Sequence, residues 1–241
     1  MAGDEKTSIL IVEDHAPTLG YFVRAIESNG WKALPADRGE KAVELAKAHQ
    51  PRIATVDLCL PDMDGYELCR KLLGLPNPPD VLVVSGVFGK EDDRLKAYQT
   101  GAAAFLLKPL RPVELAAEIR RFLSPPSPFP AMGRANGESA AKRNSPILII
   151  EDDDEQAKAI AAHLEISGFT PYVERTAVHG IMAAYRLLPH AVILDMGLPD
   201  LSGAVLVAIL KSHPRTKDIP LLVWTGSQKS DQELECLKLG A

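Results

Sequence analysis

One apolar segment occurs twice in this chain. Ile9-Leu-Ile-Val-Glu-Asp14 returns as Ile147-Leu-Ile-Ile-Glu-Asp152, and each copy ends in two adjacent carboxylates. The surrounding sequence repeats in step. Val56-Asp57-Leu-Cys-Leu-Pro-Asp-Met-Asp-Gly65 is echoed by Leu194-Asp195-Met-Gly-Leu-Pro-Asp-Leu-Ser-Gly203, and Val81-Leu-Val-Val-Ser-Gly86 by Leu221-Leu-Val-Trp-Thr-Gly226. Three landmarks in one order, offset by roughly 138 to 140 residues, require two copies of one domain. The 241 residues divide into about 120 per copy, enough for a buried core.

Within the first copy, β-rich runs alternate with helical periodicity. Ser8–Val12 lacks polar alternation and suits a strand buried on both faces. Strands are expected next at 31–34, 53–57, 81–85 and 104–107. Helices are expected from Pro17 to the cap pair Asn29-Gly30, then at 41–49, 65–73, 91–100 and 112–123. The second helix should turn Val43, Leu45 and Ala46 inward, and the last helix Val113, Ala116, Ile119 and Leu123. Five strands alternating with five helices imply an α/β domain with an open, doubly wound parallel sheet. Residues 124–145 hold Pro125, Pro126, Pro128, Pro130, Gly133 and Gly137 without apolar periodicity. They read as a linker between domains 1–123 and 146–241. The second copy repeats the alternation with strands at 170–173, 191–195 and 220–225. The sequence stops at Ala241, before any counterpart of the fifth strand, of Lys108 or of the closing helix. It therefore reads as continuing past Ala241 in the natural protein.

Composition excludes several classes. The net charge of −5 leaves no basic face for nucleic acid. No apolar run approaches the ~20 residues of a membrane span, and residues 1–8 hold no export signal core, so a cytoplasmic protein is expected. Cys59, Cys69 and Cys236 lack metal-ligand spacing and read as reduced thiols.

In such a sheet the ligand crevice lies beyond the carboxyl ends of the strands. Glu13, Asp14, Asp57, Ser85 and Lys108 all fall there. Carboxylates crowded together repel unless a cation joins them, and hard oxygen donors without His or Cys favour Mg²⁺. A carboxylate held between a metal and a lysine can act as a nucleophile toward a phosphoryl donor. Each residue also has a plain structural reading. Acids at strand ends serve as solvated caps, Ser85 as a turn residue, Phe105 as core and Cys59 as packing. His15 suits a surface loop, and Asp153 and Asp154 suit a helix N-terminus.

Taken together, Glu13-Asp14, Asp57 with Leu60-Pro61-Asp62…Gly65, Ser85-Gly86 and Phe105…Lys108-Pro109 resemble the receiver domains of two-component response regulators. In the second copy the resemblance covers Glu151-Asp152, Asp195, Leu198-Pro199-Asp200…Gly203 and Thr225-Gly226. It implies a flavodoxin-like sheet of order 2-1-3-4-5. Asp57 would accept phosphate from a histidine kinase or histidine phosphotransfer protein. Asp14, Asp57, the Cys59 carbonyl and, partly through water, Glu13 would hold Mg²⁺. Ser85 would close on the phosphoryl oxygens with Phe105 turning inward, and Lys108-Pro109 would be cis. The second-copy roles fall to Glu151, Asp152, Asp195, the Gly197 carbonyl and Thr225. Receiver–receiver dimers are a further implied partnership. Two other readings stay open. The chain could be the regulatory part of a longer signalling enzyme such as a nucleotide cyclase, or an adaptor whose second copy is not phosphorylated. A phosphatase of the haloacid dehalogenase type would need an Asp at position 59 or 197, where Cys59 and Gly197 stand.

Overall fold

The computed structural model describes residues 7–86, 91–124 and 145–224. It divides into two compact units, Met1–Ser124 and Pro125–Ala241. Most of the expected linker, 125–144, lies outside the described residues.

The first unit runs β1 (Ser8–Val12), α1 (Ala16–Ser28), β2 (Lys32–Ala36), α2 (Gly39–His49), β3 (Ile53–Val56), α3 (Gly65–Leu73), β4 (Asp80–Ser85), α4 (Glu91–Gln99), β5 (Ala104–Leu107) and α5 (Pro112–Leu123). Its strands are parallel in the order β2-β1-β3-β4-β5, as the resemblance implied. The central strands β1, β3 and β4 are almost wholly buried, which explains their unbroken apolar runs. Strand β2 continues two residues past the expected end at Leu34, through Pro35 to Ala36. Proline is tolerated there because β2 is an edge strand. Helix α1 ends as expected at Asn29, with Gly30 in the left-handed region at φ +82°.

Two helices face differently from the sequence expectation. In α5 the buried residues are Leu115, Ala116, Ile119 and Phe122, whereas Val113 is 65% exposed and Leu123 is only half-buried. Apolar residues at 113 and 123 compete with those at 115 and 122. The face with the larger Leu and Phe side chains buries more apolar area and wins. In α2 the small residues Ala42 and Ala46 are buried, while Val43 and Leu45 are half-buried.

The second unit runs β6 (Pro146–Ile150), α6 (Asp154–Ile166), β7 (Thr170–Glu174), α7 (Ala177–Leu187), β8 (Ala191–Asp195), α8 (Gly203–Ser212) and β9 (Leu221–Trp224). The parallel order β7-β6-β8-β9 repeats the first four strands of unit one. Strand β9 is an edge among the described residues. Its Leu222 and Trp224 are 53% and 54% exposed, whereas the matching Leu82 and Val84 are 0% and 3% exposed beneath a completed sheet.

The α5 orientation is testable. Phe122→Ala should cost about 3–5 kcal/mol in urea unfolding of the first unit. Val113→Ala should cost less than ~0.5 kcal/mol. The reverse ranking would show that the stripe faces the other way.

Candidate functional site

The parallel register brings the ends of β1 and β3 side by side. Glu13 N–H donates to Ala36 O and Asp57 N–H to Val12 O, both at 3.1 Å, so each acid continues the ladder just past its strand. Glu13 is 3% and Asp57 7% exposed, while Asp14 is open to solvent. Carboxylate oxygens of Glu13, Asp14 and Asp57 lie within 4.8 Å of one another. The Cys59 N–H donates to Asp57 Oδ1 at 3.1 Å. Lys108 Nζ donates to Asp57 Oδ2 at 2.5 Å and to Glu13 Oε2 at 2.7 Å. The lysine reaches the crevice because its own N–H is bonded to Ser85 O at 2.9 Å, beyond β5. The Lys108-Pro109 bond is cis. Glycine at 86 leaves room for this side chain, since a Cβ there would stand 3.2 Å from Lys108 Cβ.

Burial sets the electrostatics. It pushes the Glu13 carboxyl above its ordinary pKa, although the bond and charge of Lys108 pull the other way. Burial also disfavours the Lys108 ammonium, but the bonds to Asp57 and Glu13 outweigh it and its pKa rises. The lysine is thus held charged between two carboxylates.

Ser85 is fully buried, and its Oγ has no hydrogen-bond partner. A buried hydroxyl in that state is costly. Phe105 is also buried. Cys59, expected to pack, is exposed. His15 is the exposed residue preceding α1, with Nδ1 2.8 Å from Thr18 Oγ1. Ser85→Ala should leave thermal stability unchanged or raise it by up to about 1 kcal/mol. A loss of more than ~1 kcal/mol would mean the hydroxyl is already bonded.

The loop after Asp57 has a role the sequence reading left unassigned. Asp62 reaches to α2, accepting from Gly39 N–H at 2.8 Å and Glu40 N–H at 2.9 Å. Asp200 does the same for α7, accepting from Ala177 and Val178 N–H at 2.8 and 3.0 Å. Each acid satisfies two donors that a helix start leaves free, and is favoured by the helix dipole. Gly65 closes the loop. A Cβ there would lie 2.5 Å from both Asp57 O and Leu58 Cα, backbone atoms that cannot yield.

For Asp62 the slight burial raises the pKa, but the two helix N–H donors outweigh it and hold the carboxyl below its usual range. A group depressed in this way stabilises the fold above its unfolded pKa and stops doing so as pH falls through its folded pKa. Asp62→Ala should therefore cost about 0.5–2 kcal/mol at pH 7. The difference from unmutated protein should shrink below about pH 4. A deficit independent of pH would argue against the cap.

In the second unit Glu151 is buried, Asp195 half-buried and Asp152 exposed, with oxygens again within 4.8 Å. Gly197 N–H donates to Asp195 Oδ2 at 3.0 Å, as Cys59 does to Asp57. Burial raises the Glu151 pKa against the opposing Asp153 N–H bond, and the neighbouring acids add to the rise. Asp153 caps α6, accepting from Glu155 and Gln156 N–H. Arg175 was not anticipated. Its Nη1 donates to Glu151 O at 3.1 Å and Asp153 O at 3.3 Å, and its Nη2 pairs with Asp154 Oδ1 at 2.5 Å. Thr225, expected to match Ser85, lies outside the described residues.

Comparison with known proteins agrees with this arrangement. A sequence model of the family described as response regulator receiver domain matches residues 9–120 and again 147–241. The response regulator PleD of Caulobacter vibrioides (strain NA1000 / CB15N) is 27% identical over 246 residues, covering 96% of this chain and 54% of PleD. The transcriptional regulatory protein CreB of Escherichia coli (strain K12) is 30% identical over 135 residues, covering 54% of this chain and 58% of CreB. Among solved structures, a CheY-like response regulator receiver domain protein from Methanospirillum hungatei JF-1 is 26% identical with a TM-score of 0.45. It covers 48% of this chain and 91% of that chain. The chain spans about half the length of the curated relatives it matches. Among the described residues no helix is long and apolar enough to cross a membrane. Two matched segments, each built on the same strand order and carrying the same acid cluster, make this chain a member of the response regulator receiver family.

Proposed function

We propose that the chain is a phosphoacceptor switch of two-component signalling, taking a phosphoryl group chiefly on Asp57. The donor is a histidine kinase or histidine phosphotransfer protein. The observation that carries this reading is the Lys108 ammonium between Asp57 and Glu13, with Asp57 Oδ1 fixed by the Cys59 N–H. That geometry holds one carboxylate in place as a nucleophile. Asp57 attacks phosphorus, the new O–P bond forms as the donor's N–P bond breaks, and the imidazole leaves with the bonding pair. Lys108 sits where charge on the phosphoryl oxygens develops. The unpartnered Ser85 hydroxyl gains an acceptor only when that group arrives.

The oxygen donors Glu13, Asp14 and Asp57 fit a hard divalent cation, Mg²⁺, in charge and spacing. When bound it would offset the negative charge of the carboxylates and the transferred group. Cys59 and Gly197 stand beside the two acceptors and would offer backbone carbonyls to it. Asp195, with Glu151 and Asp152, is the second candidate site. Cytoplasmic placement and receiver–receiver association belong to the same proposal. A further reading, in which both receivers regulate another part of a longer signalling protein, is supported by the coverage of only 54% of PleD.

With a small phosphodonor and Mg²⁺, Asp57→Asn should remove at least about 80% of the label, and Asp195→Asn much less. This follows from the lysine seen at Asp57. Equal losses would overturn the ranking. Mg²⁺ at a hundredfold excess over its dissociation constant should stabilise the first unit by about 2.7 kcal/mol. Asp14→Ala should remove most of that gain. A melting temperature indifferent to Mg²⁺ would contradict the metal site.

A further inference from the structure

The two acid clusters meet different cations. Glu151, Asp152 and Asp195 bring carboxylate oxygens within 4.8 Å of one another, as Glu13, Asp14 and Asp57 do. In the first unit the Lys108 ammonium lies between two of the acids and offsets their repulsion. In the second unit Arg175, directly after β7, approaches the acid loop from behind. Its Nη1 donates to Glu151 O at 3.1 Å and to Asp153 O at 3.3 Å, so one nitrogen grips the backbone on both sides of Asp152. Its Nη2 pairs with Asp154 Oδ1 at 2.5 Å.

The loop carries a load that this grip opposes. Burial first, and then repulsion from Asp195, Asp152 and Asp153, raises the Glu151 pKa against the Asp153 N–H bond. The same repulsion works to spread the three acids before any cation joins them. Asp152 is exposed, so packing does little to resist. Glu151 N–H is tied to Glu174 O at 3.0 Å, and Asp153 N–H to Glu151 Oε1 at 3.2 Å. Arg175 closes the set by fixing the two carbonyls that flank Asp152. At the matching position the first unit has Asp37, a carboxylate with no donor for such carbonyls, which pairs with Lys41 instead.

We propose that Arg175 is a positioning residue that holds the acid loop of the second unit in the geometry a divalent cation requires. The inference rests on the reading of Glu151, Asp152 and Asp195 as a Mg²⁺ site. A loop already in its binding geometry loses less freedom when the cation arrives, so affinity rises. The guanidinium charge alone would act the other way, repelling a cation, but Asp154 offsets it. Position and charge therefore predict opposite signs for the loss of Arg175.

The test titrates Mn²⁺, a hard cation that takes the same oxygen donors, into the full 241-residue chain. Paramagnetic broadening of two backbone amides is read by NMR. The Gly197 N–H, bonded to Asp195, reports the second site, and the Cys59 N–H, bonded to Asp57, reports the first in the same sample. Arg175→Ala should weaken the midpoint at Gly197 about tenfold, the usual scale for loss of a group that orients metal ligands. The midpoint at Cys59 should stay within about twofold. Asp154→Asn keeps both carbonyl bonds and should shift Gly197 less than about threefold, since an exposed ion pair contributes little. A purely structural role for Arg175 would lower the stability of the second unit and leave the midpoint of its folded form unchanged. A purely electrostatic role would tighten binding. Either result overturns this inference alone, as does an Asp154→Asn loss as large as that of Arg175→Ala. Absence of broadening at Gly197 in the unmutated protein overturns the second metal site and this inference with it. If Arg175→Ala does not fold, Arg175→Lys decides, because it keeps the charge and loses the planar fork. A midpoint weakened at least about threefold supports the grip, and an unchanged one refutes it.

Discussion

The first unit is organised around one ammonium group. Lys108 Nζ stands 2.5 Å from Asp57 and 2.7 Å from Glu13, and burial raises the pKa of the Glu13 carboxyl. An uncompensated buried charge costs several kcal/mol, so the three groups are acceptable only together. They come from residues 13, 57 and 108 and share no local sequence. The sheet has to place three strand ends within one side chain's reach before any of them can be ionised at low cost. The order β2-β1-β3-β4-β5 does this by setting β1 beside β3 and leaving β5 one strand beyond β4. Fold and site are thus one constraint, and strands buried on both faces supply the rigidity that holds the charges in place.

The loop following each acceptor is fixed from outside as well. Asp62 and Asp200 bind the starts of α2 and α7, so the segment that carries the acceptor's N–H donor is tied to a helix packed on β1 or β6. In the second unit Arg175 adds a further clamp on the acid loop, where the first unit has an aspartate, Asp37. The two copies therefore share a frame and differ in the cations around it. In the first, a cation lies on the acceptor itself. In the second, among the described residues, the cation grips the backbone behind the acids.

The order of the strands came with the family resemblance, whereas the alternation of strands and helices, the acid clusters and the position of Lys108 were legible in the sequence because each rests on a strong signal. Those signals are unbroken apolar runs, carboxylates directly after them, and a repeat that fixes the register of one copy by the other. What escaped depended on competition between near-equal choices or on contacts distant in sequence. Leu115 and Phe122 displaced Val113 and Leu123 in α5 because a 3.6 period admits both faces and only packing decides. Strand β2 ran through Pro35 because an edge strand does not need that N–H. The caps from Asp62 and Asp200 were visible in principle, since both acids recur at the repeat interval, but the partners lie 22 and 23 residues away. Arg175 left no such trace, since nothing in its local sequence marks its role.

The central claim is that Lys108 and Glu13 hold Asp57 as the nucleophile of the first unit. It is tested most directly by locating the covalent product. After incubation with a small phosphodonor and Mg²⁺, borohydride converts an aspartyl phosphate to homoserine, which peptide mass spectrometry places in the chain. The account predicts homoserine at position 57, lost when Lys108 is changed to Ala. Homoserine at another aspartate in place of 57, or at 57 with equal yield without Lys108, would contradict it.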